Sequence, residues 1–514
     1  MSKTLRYAIG SLVGVVAAAI AVHAQRPADA PPATPFDVVE KTIFDLKNAM
    51  DARQATSRQI VEQYLERIKA YDQAGPRINA FILVNPRALE AADALDAERR
   101  AGKVRGPLHG IPIVLKDNYA TADMPTTAGS LALEGFQTGR DAFMVKKLRD
   151  AGAVFIGKTN LHELAYGITS ISSMGGQTRN PYDPTRNPGG SSGGTGAAVA
   201  ANFAAAGMGT DTCGSIRNPS ADNNLFGLRG TLGLSSREGI VPLSHTQDIG
   251  GPLARTVTDL MLMLDATVGF DPADPLTKAS NGRIPRTFLS SVGDSSLGDV
   301  HIGVLTTLFG SAPEDTEVAD IVRRAVAMLG RMGARVSDVT IPDFDELIQG
   351  TSVLSAEFKF DLLDFLVKYP KAPVRSLDEI LNRGLYSTAI DGVLRRSNAV
   401  ESRETEAYRA ALTKRDVARE RIVAAMVSQG ITALAYPTLR RKPALIGEPQ
   451  AGSNCQLSAT TGLPAMSIPA GFTSDGLPIG MDLLGGEFGE QALLKIAYAY
   501  ERETQPRRPP SSTP

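Results

Sequence analysis

Three short stretches of this 514-residue chain hold residue types that could do chemistry together. The first, Gly189-Gly190-Ser191-Ser192-Gly193-Gly194-Thr195-Gly196, runs into an alanine-rich predicted helix over Ala197–Ala201. Such a run costs backbone entropy, so it implies conformations closed to side chains or a close approach to a ligand. A flexible Gly/Ser linker is the plain alternative, but the stretch is short and sits between a proline turn and a helix. A phosphate loop would end in Gly-Lys-Ser/Thr; here Thr195 follows Gly194 with no lysine between them, which argues against nucleotide binding. Gly189-x-Ser191-x-Gly193 also fits the nucleophile elbow of an α/β-hydrolase formally, with His245 or His301 as the later histidine. Both histidines read as structural residues, one in a turn and one in a strand.

The second stretch, Gly209-Thr210-Asp211-Thr212-Cys213-Gly214-Ser215-Ile216-Arg217-Asn218-Pro219, puts a serine after small residues in a tight loop. Successive backbone N–H groups there could point into one concavity and hold a developing oxyanion. Taken alone, such a serine is a turn residue. The third element is Lys116, at the end of the apolar run Ile111-Pro112-Ile113-Val114-Leu115. A lysine leaving a buried strand is desolvated, which lowers its pKa from the free value of about 10.4 and yields a neutral amine able to act as a base. The competing reading is a lysine that snorkels to solvent at a strand end.

The elements that must position these residues alternate between strand and helix. Thr56 with Gln59 forms a capping-box pattern, and Ile60, Val61, Tyr64, Leu65 and Ile68 follow at helical spacing. Short apolar runs at Phe81–Val84, Ile111–Leu115 and Val154–Ile156 read as strands, with a helix over Phe143–Asp150. The rhythm returns at Val300–Leu305, a helix from Thr316 to Met332 closed by Gly333, and Val336–Ile341. Residues 355–430 are mainly helical in pattern, ending in a long stretch from Glu404 to Val427 with Tyr408, Leu412, Ile422 and Met426 inward. Strands follow at Ile431–Ala435, Ala465–Ile468 and Ile479–Leu484. The class is α/β, and with no linker-like break between residues 40 and 505 a single large domain is expected.

Composition narrows the setting. With 54 basic and 55 acidic residues the formal net charge is −1, so no global field draws nucleic acid or an anionic membrane. Residues 1–24 read as a secretory signal peptide: Lys3 and Arg6 precede an apolar run from Tyr7 to Val22, and Val22-His23-Ala24 resembles a cleavage site. The run is short for a membrane span, so stable insertion after cleavage is not expected. Residues 25–40 read as a Pro/Ala-rich linker and 506–514 as a disordered tail. Cys213 and Cys455 are too few for a disulfide framework. Export would permit the pair to join, but a large core has no need of it, and the expectation is that they stay apart.

Taken together, the three stretches resemble the amidase signature family. The resemblance lies in Gly106-Pro107-Leu108-His109-Gly110-Ile111-Pro112 running into Lys116-Asp117-Asn118, then Gly157-Lys158-Thr159-Asn160, Asn187 to Gly194, and Gly209 to Arg217. Order and spacing agree, with Ser215 lying 24 positions after Ser191. Thr461-Gly462-Leu463-Pro464-Ala465 and Asp475 to Gly480 resemble the family's C-terminal motifs, so the similarity spans roughly residues 40–505. Arg105 to His109 and Gly129 to Leu133 are similar to exported peptide amidases and acylamidases.

The resemblance implies one domain over 41–505, with a mixed central β-sheet covered by helices on both faces. Its signature core would span about 105–260, with a helical cap-like part over about 345–430. It also implies Ser215 as the acylated nucleophile, Ser191 as a bridging serine held by a cis peptide after Gly190, and Lys116 as the neutral base. The N–H groups of Thr212, Cys213, Gly214 and Ser215 would form the oxyanion hole, with Ser192, Asp211, Arg217 and Gly190 in support. No metal or organic cofactor is implied. The expected reaction is hydrolysis of a small-molecule or peptide amide to a carboxylic acid and ammonia or an amine, in the periplasm or outside the cell. An esterase or carbamate hydrolase with the same triad is the nearest alternative, and a decayed periplasmic binding protein is the non-enzyme one.

Cys213 departs from the glycine common in the family at that position, and brings a side chain to the oxyanion loop that could be a second nucleophile. Asp222-Asn223-Asn224 and Arg229-Gly230-Thr231 also differ from the usual pattern, in places that affect support and pocket shape more than chemistry.

Overall fold

Each short apolar run read from the sequence is a strand in the computed structural model, which describes residues 36–293 and 296–514. The signal-peptide reading of residues 1–24 and most of the expected linker lie outside the described residues. In chain order the strands are β1 (Phe81–Val84), β2 (Pro112–Lys116), β3 (Val154–Thr159), β4 (Ile171–Ser172), β5 (Gly176–Gln177), β6 (Ala206–Asp211) and β7 (Phe226–Arg229). They continue as β8 (Ile249–Ala254), β9 (His301–Leu305), β10 (Arg335–Val339), β11 (Ala433–Pro437), β12 (Ala465–Phe472) and β13 (Pro478–Gly485). Apart from the β4–β5 hairpin, the described strands form one mixed eleven-stranded sheet in the order β1-β3-β2-β6-β8-β7-β12-β13-β11-β9-β10. Helices flank it: Gly193–Ala200 packs on β2 and β6, Val257–Thr267 on β8, Thr316–Arg331 on β12 and β13, and Glu490–Thr504 on β13. Asp37–Pro514 is one compact unit.

Central strands β6, β7 and β8 were not legible as strands. β6 reads Ala-Gly-Met-Gly-Thr-Asp and β8 Ile-Gly-Gly-Pro-Leu-Ala, compositions with little intrinsic strand preference, yet every residue of both is buried. Tertiary packing decides here, because small residues let the helix Gly193–Ala200 lie close to the sheet. That helix begins four residues before the alanine-rich run. Gly194 shows why: a Cβ there would come within 2.3 Å of the Asn160 carbonyl oxygen.

The helical part over residues 345–430 contains Leu354–Val367, Leu377–Arg383, Asp391–Asn398 and Glu406–Ser428. Phe358, Leu362, Phe365 and Leu366 share an apolar cluster with Leu133, Phe136, Leu164, Val241 and Leu243, so this part rests on loops of the signature core. The long helix Glu406–Ser428 buries Arg415, Ala418, Ile422 and Met426. Tyr408 and Leu412, expected inward, are only half-buried, because the first turns of the helix ride at the surface, where the Tyr408 hydroxyl donates to Glu357 Oε1 at 2.7 Å.

Two boundaries differ from expectation. Residues 506–514 are not a loose tail: Arg507 pairs with Glu40 at 2.8 Å, donates to Tyr182 Oη at 2.7 Å and to the Ala200 carbonyl at 2.7 Å. The Pro514 carbonyl accepts from Arg67 at 2.8 Å. Glu40 belongs to the folded body for the same reason, and Val38 is 1% exposed, so the ordered body starts before the expected linker ends. Polar sequence without helix or strand pattern concealed a partly buried ion pair between the two ends of the body.

Candidate active site

β2 and β6 are adjacent and parallel, with Leu115 opposite Met208, so their carboxyl ends open on the same edge of the sheet. Open α/β sheets place ligand sites at such edges. Lys116 closes β2 and Asp211 closes β6, both fully buried. The loop after β6 carries Ser215, and the turn before helix Gly193–Ala200 carries Ser191, whose peptide bond with Gly190 is cis. The Ser191 carbonyl accepts from the His162 N–H at 3.0 Å.

Lys116 Nζ lies 2.7 Å from Ser191 Oγ and 2.7 Å from Thr210 Oγ1, and Thr210 Oγ1 in turn accepts from Asn118 Nδ2 at 3.0 Å. Burial drives the Lys116 pKa down to about 7, although Asp248 and Asp211 pull the other way. Near neutrality the amine is therefore available as a proton acceptor, oriented by Thr210 toward Ser191. His162 does not add charge beside it, since burial and then the Lys116 charge bring its pKa down to about 4.

Asp211 is the hub of the loop that follows. Its carboxylate accepts from the Gly214 N–H at 2.7 Å, the Ile216 N–H at 3.2 Å and Arg217 Nε at 3.1 Å, and it pairs with Arg229 at 3.2 Å. Burial works to raise its pKa, but Arg217 and Arg229 outweigh that and hold the carboxyl well below the usual range. Arg217 reaches on to Asp482 Oδ2 at 2.6 Å. Ser192 ties the Ser191 and Ser215 segments together: its N–H donates to the Ser215 carbonyl at 3.2 Å and its hydroxyl to the Thr210 carbonyl at 3.2 Å. Thr212 Oγ1 donates to Asp248 Oδ1 at 2.5 Å.

Two expectations change. Gly214 was expected to offer its N–H to the oxyanion, but that group donates to Asp211. Cys213 and Cys455 are joined in a disulfide with their Cα atoms 4.9 Å apart. The turn before helix Gln456–Thr461 is brought against the loop that carries Ser215, where the Asn218 amide meets Ser453 Oγ at 3.3 Å and Arg217 meets the Cys455 carbonyl at 3.4 Å. Gly214, at φ +83°, has to be glycine in this contact, since a Cβ would come within 2.9 Å of Cys455 Cβ. A sulfur held in a disulfide is no thiolate, which removes Cys213 as a second nucleophile.

The histidine alternative finds no support. His245 Nδ1 lies 3.0 Å from Asp361, whose hydrogen bond raises the histidine's pKa, and His301 bridges Ser337 Oγ at 2.8 Å and the Gln429 carbonyl at 3.1 Å. Sequence reasoning missed Thr210, Asn118, Asp248, Arg229 and Asp482 as members of the site. Thr210 and Asn118 lie inside the recognised motifs with no signal of their own, and Arg229 stands out only as a departure from the usual pattern. Asp248 and Asp482 carried no local signal, because only the fold brings them in.

A buried lysine beside a serine, and a second serine in a loop pinned by a buried carboxylate, define a hydrolase site without histidine. The amidase family profile matches residues 59–494, and the chain belongs to that family, enzymes that hydrolyse carboxylic amides at the C–N bond. It is similar to the peptide amidase of Stenotrophomonas maltophilia, at 38% identity and a TM-score of 0.86, covering 93% of this chain and 100% of that one. A probable amidase of Arabidopsis thaliana is 35% identical over 92% of each chain. A glutamyl-tRNA(Gln) amidotransferase subunit from Halorhodospira halophila is 36% identical over 90% of this chain and 97% of that relative. Among the described residues no helix is long and apolar enough to cross a membrane.

Proposed function

We propose that this amidase works through an acyl-enzyme on Ser215, with Ser191 as proton carrier and Lys116 as base. The observation that carries the reading is the 2.7 Å contact between Ser191 Oγ and a buried amine whose pKa is about 7. Ser215 Oγ attacks the amide carbonyl as its proton passes to Ser191 and the Ser191 proton passes to Lys116. The oxyanion is held by the N–H groups of Thr212, Cys213 and Ser215, since that of Gly214 is committed to Asp211. The proton returns through Ser191 to the departing nitrogen, and water then releases the acid by the same relay. Asp211, Arg217, Arg229 and Ser192 fix the loop, and Thr210 and Asn118 aim the amine.

The substrate is a small or peptide amide, a reading supported by similarity to a peptide amidase. The chain works outside the cytoplasm, which the pattern of residues 1–24 and the Cys213–Cys455 disulfide both support, because structural disulfides belong to oxidising compartments. N-terminal sequencing of protein from a periplasmic fraction tests this, and a first residue near Gln25 is expected. Hydroxylamine tests the chemistry: competing with water for an acyl-enzyme, it diverts product from acid to hydroxamate, and Ser215→Ala forms neither. A panel of peptide amides, aryl amides, aliphatic amides, esters and carbamates, compared by kcat/KM, separates the amidase reading from its alternatives.

A further inference from the structure

A cavity of about 210 Å³ lies on the Cys455 side of the nucleophile loop. Leu308, Phe344, Ile348 and Leu457 give it apolar walls, and Arg440 and Asn454 give it polar ones. Its wall residues Ser453, Asn454, Gln456 and Leu457 flank Cys455, whose sulfur is bonded to Cys213, two residues before Ser215. The cavity is therefore a neighbour of the reacting centre, and it is far larger than a departing ammonia needs.

Arg440 is the unusual member of this wall. Its backbone is fixed, with the N–H donating to the Gly452 carbonyl at 2.8 Å beside a bridge between Leu439 and Ser453. Its Nε is buried without a hydrogen-bond partner. Among the described residues its guanidinium has no ion-pair partner either, because the nearby carboxylates go to the next residue: Arg441 takes Asp315 at 3.0 Å and Glu314 at 3.7 Å. Asp345 also lines the cavity, beyond ion-pair distance from Arg440, and is exposed to water that screens its charge. The buried Arg217 and Arg229 and the partly buried Arg507 each have a carboxylate partner. A guanidinium donor kept from water with no acceptor is costly, and its planar fork matches a carboxylate.

We propose that this cavity is a substrate subsite for a carboxylate, and that the preferred amides carry one several bonds from the scissile carbonyl. The inference rests on the reading of Ser215 as nucleophile. Arg440 supplies the charge and the paired donors, the apolar walls take the methylenes between the two groups, and Asn454 keeps the wall in place through the Leu308 and Pro437 carbonyls at 2.8 and 2.7 Å.

The test compares kcat/KM for succinamate, glutaramate and adipamate, which carry the carboxylate on the acyl side, with their neutral methyl-ketone counterparts. A second series, N-acetyl-β-alanine and its longer homologues against the matching ketones, puts the carboxylate on the amine side. One carboxylate series is expected to exceed its neutral counterparts by at least about tenfold. That ratio should collapse in Arg440→Gln and recover in part in Arg440→Lys, with thermal melts checking that the variants fold. Equal ratios in the wild-type protein and Arg440→Gln overturn the proposal, as does a preference for the ketones. If neither series is hydrolysed and a fluorophosphonate leaves Ser215 unlabelled, the nucleophile reading fails by itself, and calorimetry with glutarate judges the cavity in either case. Binding lost in Arg440→Gln supports the subsite, and binding equal in both proteins refutes it.

Discussion

The sheet contains two regions of parallel strands with opposite characters. At one end, β9, the helix Thr316–Arg331 and β10 form a plain βαβ unit, with Val318, Ile321, Val322, Val326 and Leu329 buried beneath the helix. β10 is an edge strand, mostly exposed except at Val339. At the centre, β2 and β6 make the same parallel pairing, but every residue is buried and the strands end in Lys116 and Asp211 instead of Leu305 and Val339. Parallel pairing alone creates no site. What differs is the ionisable groups carried into the interior at the strand ends, and the small-residue helix that brings Ser191 close enough to Lys116.

Removing a central ionisable group should therefore far outweigh any change at the edge. Lys116→Ala is expected to lower kcat by about 10³-fold or more while the protein still folds, measured by single-turnover kinetics beside a thermal melt. Asp211→Asn leaves Arg217 and Arg229 short of their shared counter-charge, and a loss of about 3–5 kcal/mol is expected in urea unfolding. Reducing the Cys213–Cys455 link with a dithiol should cost about 2–4 kcal/mol of stability, and because the link sits in the nucleophile loop, kcat should fall more than KM rises. Reoxidation should restore both. A reduced enzyme with unchanged kcat would show that the loop is held by Asp211 and not by the disulfide.

The pH dependence follows from Lys116. Its amine must be neutral to accept a proton, and its pKa is lowered to about 7, so kcat/KM should climb with pH and level off above that value. Below it the fall should be about tenfold per pH unit. A profile flat from about pH 5 to 9 would contradict the neutral-base role. The smallest effect belongs to the other region: Val336→Thr on exposed β10 should change stability by less than about 0.5 kcal/mol and leave kcat/KM untouched.

The same contrast governs what could be read in advance. β9, the amphipathic helix after it and β10 obey ordinary periodicity, and their positions followed from apolar spacing. β6 and β8 were opaque because Gly- and Ala-rich strands are selected by what must lie against them, here a helix whose Gly194 nearly touches the Asn160 carbonyl, and β7 because it is only four residues long. Ser191, Ser215 and Lys116 were legible from spaced motifs. The supporting residues Asp248, Asp482 and Arg229 were not, because a buried network of hydrogen bonds and ion pairs joins residues far apart in the chain and leaves no periodic trace. Cys213 and Cys455 failed for a related reason: 242 positions separate them, and only the approach of residues 453–456 to the loop that carries Ser215 joins them. Arg507 and Glu40 repeat the lesson at the chain ends.

The most direct test of the triad is labelling of the folded, full-length chain with a serine-directed fluorophosphonate, followed by peptide mass spectrometry. A single adduct on Ser215 is expected, formed faster as the pH rises through about 7 and much more slowly in Lys116→Ala. An adduct on Ser191 instead, or none on a chain that hydrolyses amides, would contradict the assignment of Ser215 as the nucleophile.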